Sequence, residues 1–148
     1  MRIRWALGAL LVSVGPLFGQ QPSETRPAAE VRGASSVPLF PIERQLLEHT
    51  NAQRVRYGLQ PLELDPQLQQ SARQHCYWMA RTGSLQHTTA PVAENIAMGQ
   101  RTTQEAIRDW LNSPGHRANM LHRDYTRVGV AAYQQSDGTI FWCQQFLR

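Results

Sequence analysis

The chain contains no lysine; all 15 of its basic residues are arginine, set against 11 acidic ones. Its formal charge of +4 is modest, and the arginines are spread along the chain rather than clustered with aromatics, which argues against a nucleic-acid surface. Cysteine is scarce too. Cys76 and Cys143 are the only two, and neither has an obvious activating histidine partner, so a thiol nucleophile is not expected. Long apolar runs are also missing. The stretch over 5–18 is broken by Gly15 and Pro16 and is shorter than the roughly 20 apolar residues of a membrane span.

What that stretch does have is the order of a secretory signal peptide: Arg2 and Arg4 before it, and the small Gly19 after it. A leader over 1–19 is therefore expected, with release to the periplasm or the outside; an uncleaved N-terminal anchor is the other reading. Export brings the chain to an oxidising compartment, where Cys76 and Cys143 are expected to form one disulfide, two buried thiols being the alternative. Closing a loop of on the order of 70 residues would stabilise by at most roughly 4 kcal/mol. Residues 20–40 are rich in Pro, Ser, Ala, Gly and charge, with little to bury, and read as a disordered linker. The remainder, 41–148, suffices for one domain with a core.

Within it, a helix is expected over 41–57, with Ile42, Leu46 and Val55 among its apolar positions and Gly58 as its stop. Asp65 is placed to cap a second helix that opens on Pro66, carries Leu68, Ala72, Cys76 and Met79 at helical spacing, and closes at Gly83. Thr102 and Glu105 match a capping box ahead of Ile107, Trp110 and Leu111. Ser113 is the expected N-cap of a further short helix, with Pro114 first and His116 third. There the positive helix end disfavours a second proton on imidazole, leaving the neutral form that binds metal; a histidine that merely packs or meets solvent is the plainer reading. Strands are expected over 127–134 and 139–146, joined at Ser136-Asp137-Gly138, with Trp142 and Cys143 on opposite faces. There are no internal repeats.

The ordered series Asn51-Ala52-Gln53-Arg54, Gly58-Leu59-Gln60-Pro61-Leu62, His87-Thr88, Glu94-Asn95-Ile96-Ala97, Trp110 to Asn119 and Val128-Gly129-Val130 resembles the bacterial branch of the CAP superfamily. That superfamily comprises cysteine-rich secretory proteins, antigen 5 and plant pathogenesis-related proteins, and the resemblance runs over about 42–146. It implies an α+β fold: a three-layer α-β-α sandwich around a small, mainly antiparallel sheet. It also implies a cleft lined by two histidines and two glutamates, whose histidines hold a divalent metal in some members. His87, Glu94 and His116 match three of these places. Ser113 stands where animal and plant members have a glutamate three residues after the tryptophan, here Trp110, and Ala93 replaces the glycine before Glu94.

His87 and His116 are thus the expected metal ligands, for an ion such as zinc with water completing the set. Glu94 is either a third ligand or, as favoured here, a partner that fixes one imidazole by accepting its N–H. A metal-free polar network of His87, Glu94, Ser113 and His116 is the competing reading. The expected function is an extracellular module that binds a small ligand, a lipid or a protein. A peptidase or esterase with Glu94 as general base on metal-bound water comes second, and lipid or sterol binding between helices rests on the resemblance alone. His49, His75 and His122 read as surface residues, and Asn95 and Asn119 as loop holders. Gln144 reads as a strand-edge hydrogen bonder or a ligand contact.

Overall fold

Proline fixes the first residue of three of the four helices in the computed structural model, which describes residues 37–148. The leader expected over 1–19, and the linker expected over 20–40 except its end, lie outside the described residues. Helix α1, Pro41–Arg56, opens where Pro41 needs no amide partner, and the Glu43 carboxylate accepts from the Phe40 N–H at 2.9 Å. Helix α2, Pro66–Thr82, is capped by Asp65, whose carboxylate accepts from Gln67 N and Leu68 N; Gly83 ends it in the left-handed conformation, φ 65°. In α3, Thr103–Asn112, Thr102 Oγ1 accepts from Glu105 N, but the Glu105 carboxylate reaches Arg101 N instead of closing the box at Thr102.

Helix α4, Pro114–Met120, corrects one expectation. Ser113 occupies the N-cap position, yet its side chain makes no capping bond. The residue serves two helices at once: its N–H donates to Trp110 O as the C-cap of α3, and its carbonyl accepts from Arg117 N. Its backbone therefore carries the joint, with Pro114 pre-setting the turn that follows.

The sheet has the order β1-β3-β4-β2, formed by β1 Glu63–Leu64, β2 Ala93–Met98, β3 Arg127–Gln134 and β4 Ile140–Leu147. Strand β4 is antiparallel to both β2 and β3, while β1 runs parallel to β3. Strand alternation divides the apolar residues into two cores. Val128, Val130, Trp142 and Phe146 pack with Leu46, Ile107, Trp110 and Met120 of α1, α3 and α4. On the other face Ile96, Ala131, Phe141 and Cys143 pack on Ala72, Cys76, Met79 and Ala80 of α2. The result is the three-layer α-β-α sandwich of an α+β fold.

The α2 layer sits very close to the sheet. A Cβ on Gly129 would fall 2.2 Å from the backbone of Leu68, so only glycine fits there. Next to it the Gln69 side-chain amide bonds both backbone groups of Val130, donating to its carbonyl at 2.7 Å and accepting from its N–H at 2.9 Å. This amide continues the β3 edge where the two-residue β1 stops.

Two further expectations change. Val55 is 59% exposed, and the inward position at that end of α1 belongs to buried Arg54. Its guanidinium donates to the carbonyls of Gln60, Met120, His122 and Tyr125 at 2.8–3.0 Å. The expected disulfide is absent: Cys76 and Cys143 are free thiols in one core cluster. Each has its own acceptor, Phe141 O for Cys76 at 3.2 Å and Glu94 Oε2 for Cys143 at 3.7 Å. Burial pushes the Cys76 thiol up to about 12 and raises Cys143 well above the usual thiol range, so both stay protonated and unreactive.

Candidate functional site

Strand β2 is an edge of the sheet, and its consecutive residues Glu94 and Asn95 point to opposite faces. That alternation lets one dipeptide reach both helical layers. On the α2 face, buried Glu94 accepts from His87 Nδ1 at 2.9 Å and Thr88 N at 2.9 Å through Oε1. Its Oε2 accepts from Gln145 Nε2 at 2.9 Å and from the Cys143 thiol. The Oε1 atom of Gln145 is buried with no partner among the described residues.

On the opposite face Asn95 Nδ2 donates to the backbone carbonyl of His116 at 3.0 Å and to Gln144 Oε1 at 3.3 Å, while Asn95 Oδ1 accepts from Asn119 Nδ2 at 3.0 Å. Gln144 in turn donates to Thr50 Oγ1 at 2.6 Å, and Thr50 donates to Leu46 O. This neutral chain joins α1, β4, β2 and α4. Asn95 and Asn119 thus hold backbone, as expected. Gln144 is fully buried and links helix to strand, so it is neither an edge hydrogen bonder nor exposed to a ligand.

The two histidines differ accordingly. His87 has a side chain 59% exposed, and its Nδ1–H is committed to a carboxylate, which leaves the Nε2 lone pair outward in the neutral ring. His116 is held through its backbone, and its pKa is lowered by burial first and by the nearby charge of a protonated His87 second. Burial, the larger cause, favours the neutral imidazole and takes the lead over the helix-end effect expected from sequence. Among the described residues no three His, Cys, Asp or Glu side chains are grouped as a metal cage.

His75 was expected at the surface and lies at the site instead. Its side chain is only 11% exposed; Nε2 donates to Gln86 O at 2.8 Å and stands 3.6 Å from Glu94 Oε2. Its ring stacks on Trp78 at 5.7 Å. The signal was in the helix spacing, since residues 72, 75, 76 and 79 share one face. His75 ties α2 to the loop that carries His87. His49 bonds Thr103 Oγ1 at 2.8 Å, and His122 stacks on Tyr125 at 4.4 Å; neither joins the cleft.

Residues 47–146 match the cysteine-rich secretory protein family. The chain is 36% identical to the uncharacterized protein YkwD of Bacillus subtilis, over 76% of this chain and 49% of that protein. It thus spans about half the length of that relative. An extracellular protein with an SCP domain from Bacillus anthracis superposes with a TM-score of 0.64 at 28% identity, covering 76% of this chain and 45% of that one. NaASP2, solved with Zn2+, shares the fold with a TM-score of 0.58 at 14% identity, over 71% of this chain and 78% of its own.

Proposed function

The chain belongs to the cysteine-rich secretory protein family, and from that premise we propose that it is an extracellular binding module whose cleft at the β2 edge takes a divalent metal. His87 and His116 are the ligands, and a small ligand or partner is held through the ion or beside it. In this reading residues 1–19 are the export leader, 20–40 a linker and 41–148 the binding domain. The observation that carries it is the state of Glu94: both carboxylate oxygens already accept hydrogen bonds, one of them from His87 Nδ1. Such a carboxylate orients an imidazole, and it has no free position from which to take a proton from water; this favours binding over hydrolysis. In this reading Ser113, which has no carboxylate, adds no charge beside the ion. An ion bound by two neutral imidazoles supplies open coordination positions for a ligand's donor atoms. That NaASP2 was solved with Zn2+ supports the choice of metal.

Zinc titration of the purified protein by calorimetry tests this directly. About one ion per chain is expected, lost in His87→Ala and in His116→Ala, and weakened roughly 10- to 100-fold in Glu94→Gln. Unchanged zinc uptake in both histidine variants overturns the assignment.

A further inference from the structure

The two sides of the sheet are finished differently. On β2 the outward carbonyls of Glu94 and Ile96 accept from Asn119 Nδ2 at 3.2 Å and Trp110 Nε1 at 3.0 Å, so side chains of α4 and α3 close that edge. On the β3 side the cover is partial. Strand β1 pairs only with Arg127 and Val128, and the Gln69 amide takes both backbone groups of Val130. Beyond Val130 nothing continues the ladder on that side among the described residues.

Alternation along an antiparallel strand identifies the groups left over. The odd residues of β3 bond inward to β4, a pattern that Gln135 N extends by donating to Thr139 O at 2.8 Å, while Val128 and Val130 face outward. The N–H and C=O groups of Ala132 and Gln134 therefore point out of the sheet, with no partner among the described residues. Natural sheets protect such an edge with charge or proline. From Val128 to Ser136 this strand has neither. Aromatic rings stand beside it instead: Tyr133 is 41% exposed and Tyr77 of α2 45%, and the two meet edge to face at 5.1 Å. Exposed Phe40 lies nearby, lining with both tyrosines a hollow of about 190 Å³ along the edge.

Two residues at i and i+2, each offering one donor and one acceptor, are complementary to themselves when run antiparallel. We propose that this edge of β3 is a contact between two copies of the chain, paired antiparallel about a twofold axis at Tyr133. Ala132 of each copy then exchanges both backbone bonds with Gln134 of the other. An axis at Ala132 fails, because it sets Gln134 against Val130, whose groups Gln69 already holds. With the axis at Tyr133, the two Tyr133 side chains face each other on the α2 side of the joined sheet, and aromatic surface leaves water. No residue of the metal reading takes part, so either stands or falls alone.

Sedimentation velocity of the purified full chain from micromolar to millimolar concentration tests the proposal. A monomer–dimer equilibrium is expected. Tyr133→Lys and Tyr133→Glu each place like charges on the axis and weaken dimerisation by about tenfold or more. An equimolar mixture of the two variants restores it, because opposite charges then meet. Thermal unfolding of each variant confirms that the fold persists. In the parent protein, amide exchange at Ala132 and Gln134 slows by about threefold or more at the concentrated end, since these N–H groups are bonded only in the dimer. A monomer at every concentration, open-ended assemblies in place of a dimer, undiminished dimerisation in folded Tyr133→Lys, no recovery in the mixture, or exchange at Ala132 and Gln134 that ignores concentration overturns the proposal.

Discussion

The two histidines, His87 and His116, are supported in opposite ways. His87 is held by its ring, through a buried carboxylate on the α2 face of β2; His116 is held by its backbone, through neutral amides on the other face. The ring-held histidine gains a fixed tautomer but depends on one charge. The backbone-held one keeps its ring unbonded and depends on a chain of side chains that reaches to Thr50 in α1. An ion between them would therefore read the spacing of the two helical layers, since each layer positions one ligand.

Detaching one layer breaks the comparison most severely. Gly129→Ala drives a methyl into the backbone of Leu68, and a loss of more than about 3 kcal/mol is expected in urea unfolding, with the α2 support of Glu94 loosened in whatever remains folded. Stability within about 0.5 kcal/mol of the parent would show that α2 shifts freely.

Glu94→Ala strands the donors of His87, Thr88 and Gln145 and should cost about 3 kcal/mol, with the ring resonances of His87 moving far more than those of His116. Asn95→Ala inverts that pattern at about 2 kcal/mol, moving His116 and sparing His87. Equal perturbation of both rings in either variant would mean that the two supports are not independent.

A smaller effect follows from His116 alone. Its folded pKa lies below the unfolded value near 6.5. The unfolded chain consequently binds the proton first as pH falls, and this contribution to stability, complete above about 6.5, is lost progressively until pH drops below the lowered folded pKa. His116→Gln should flatten that part of the stability profile; an unchanged slope would remove the buried, neutral imidazole from the account.

The smallest expected effect is none. With two free thiols, a reducing agent should leave the melting temperature unchanged, and a thiol reagent should count two cysteines after unfolding and none before. A reductant-sensitive melt would restore the bridge.

Much of this arrangement was legible in the sequence, for identifiable reasons. Asp65, Pro66 and Gly83 act locally, and their helix begins and ends where local chemistry requires. Strand β2 was not read as a strand because Glu94 and Asn95 are both buried, so the alternation of polar and apolar residues that betrays a half-exposed strand is absent. The two-residue β1 is too short to leave any pattern. Val55 and Arg54 exchanged roles because an apolar residue was assumed to point inward, whereas four carbonyls at one spot require a donor there. The cysteine pair was placed correctly in one core but not joined, since Glu94 Oε2 draws the Cys143 thiol and no sequence signal announces that acceptor.

The absence of lysine matters most at residue 54. An ammonium has three donors on one nitrogen, while the Arg54 fork spreads its bonds over carbonyls at 60, 120, 122 and 125. The four carbonyls come together only once the turn after α1 and the end of α4 with the segment after it have both closed. Until then the arginine must stay hydrated, because burying it without acceptors is too costly. Arg54 therefore acts as a checkpoint on the order of folding: α1 seals against the core only when the end of α4 has arrived, which ties the first helix of the domain to its last and makes partial docking of either unstable.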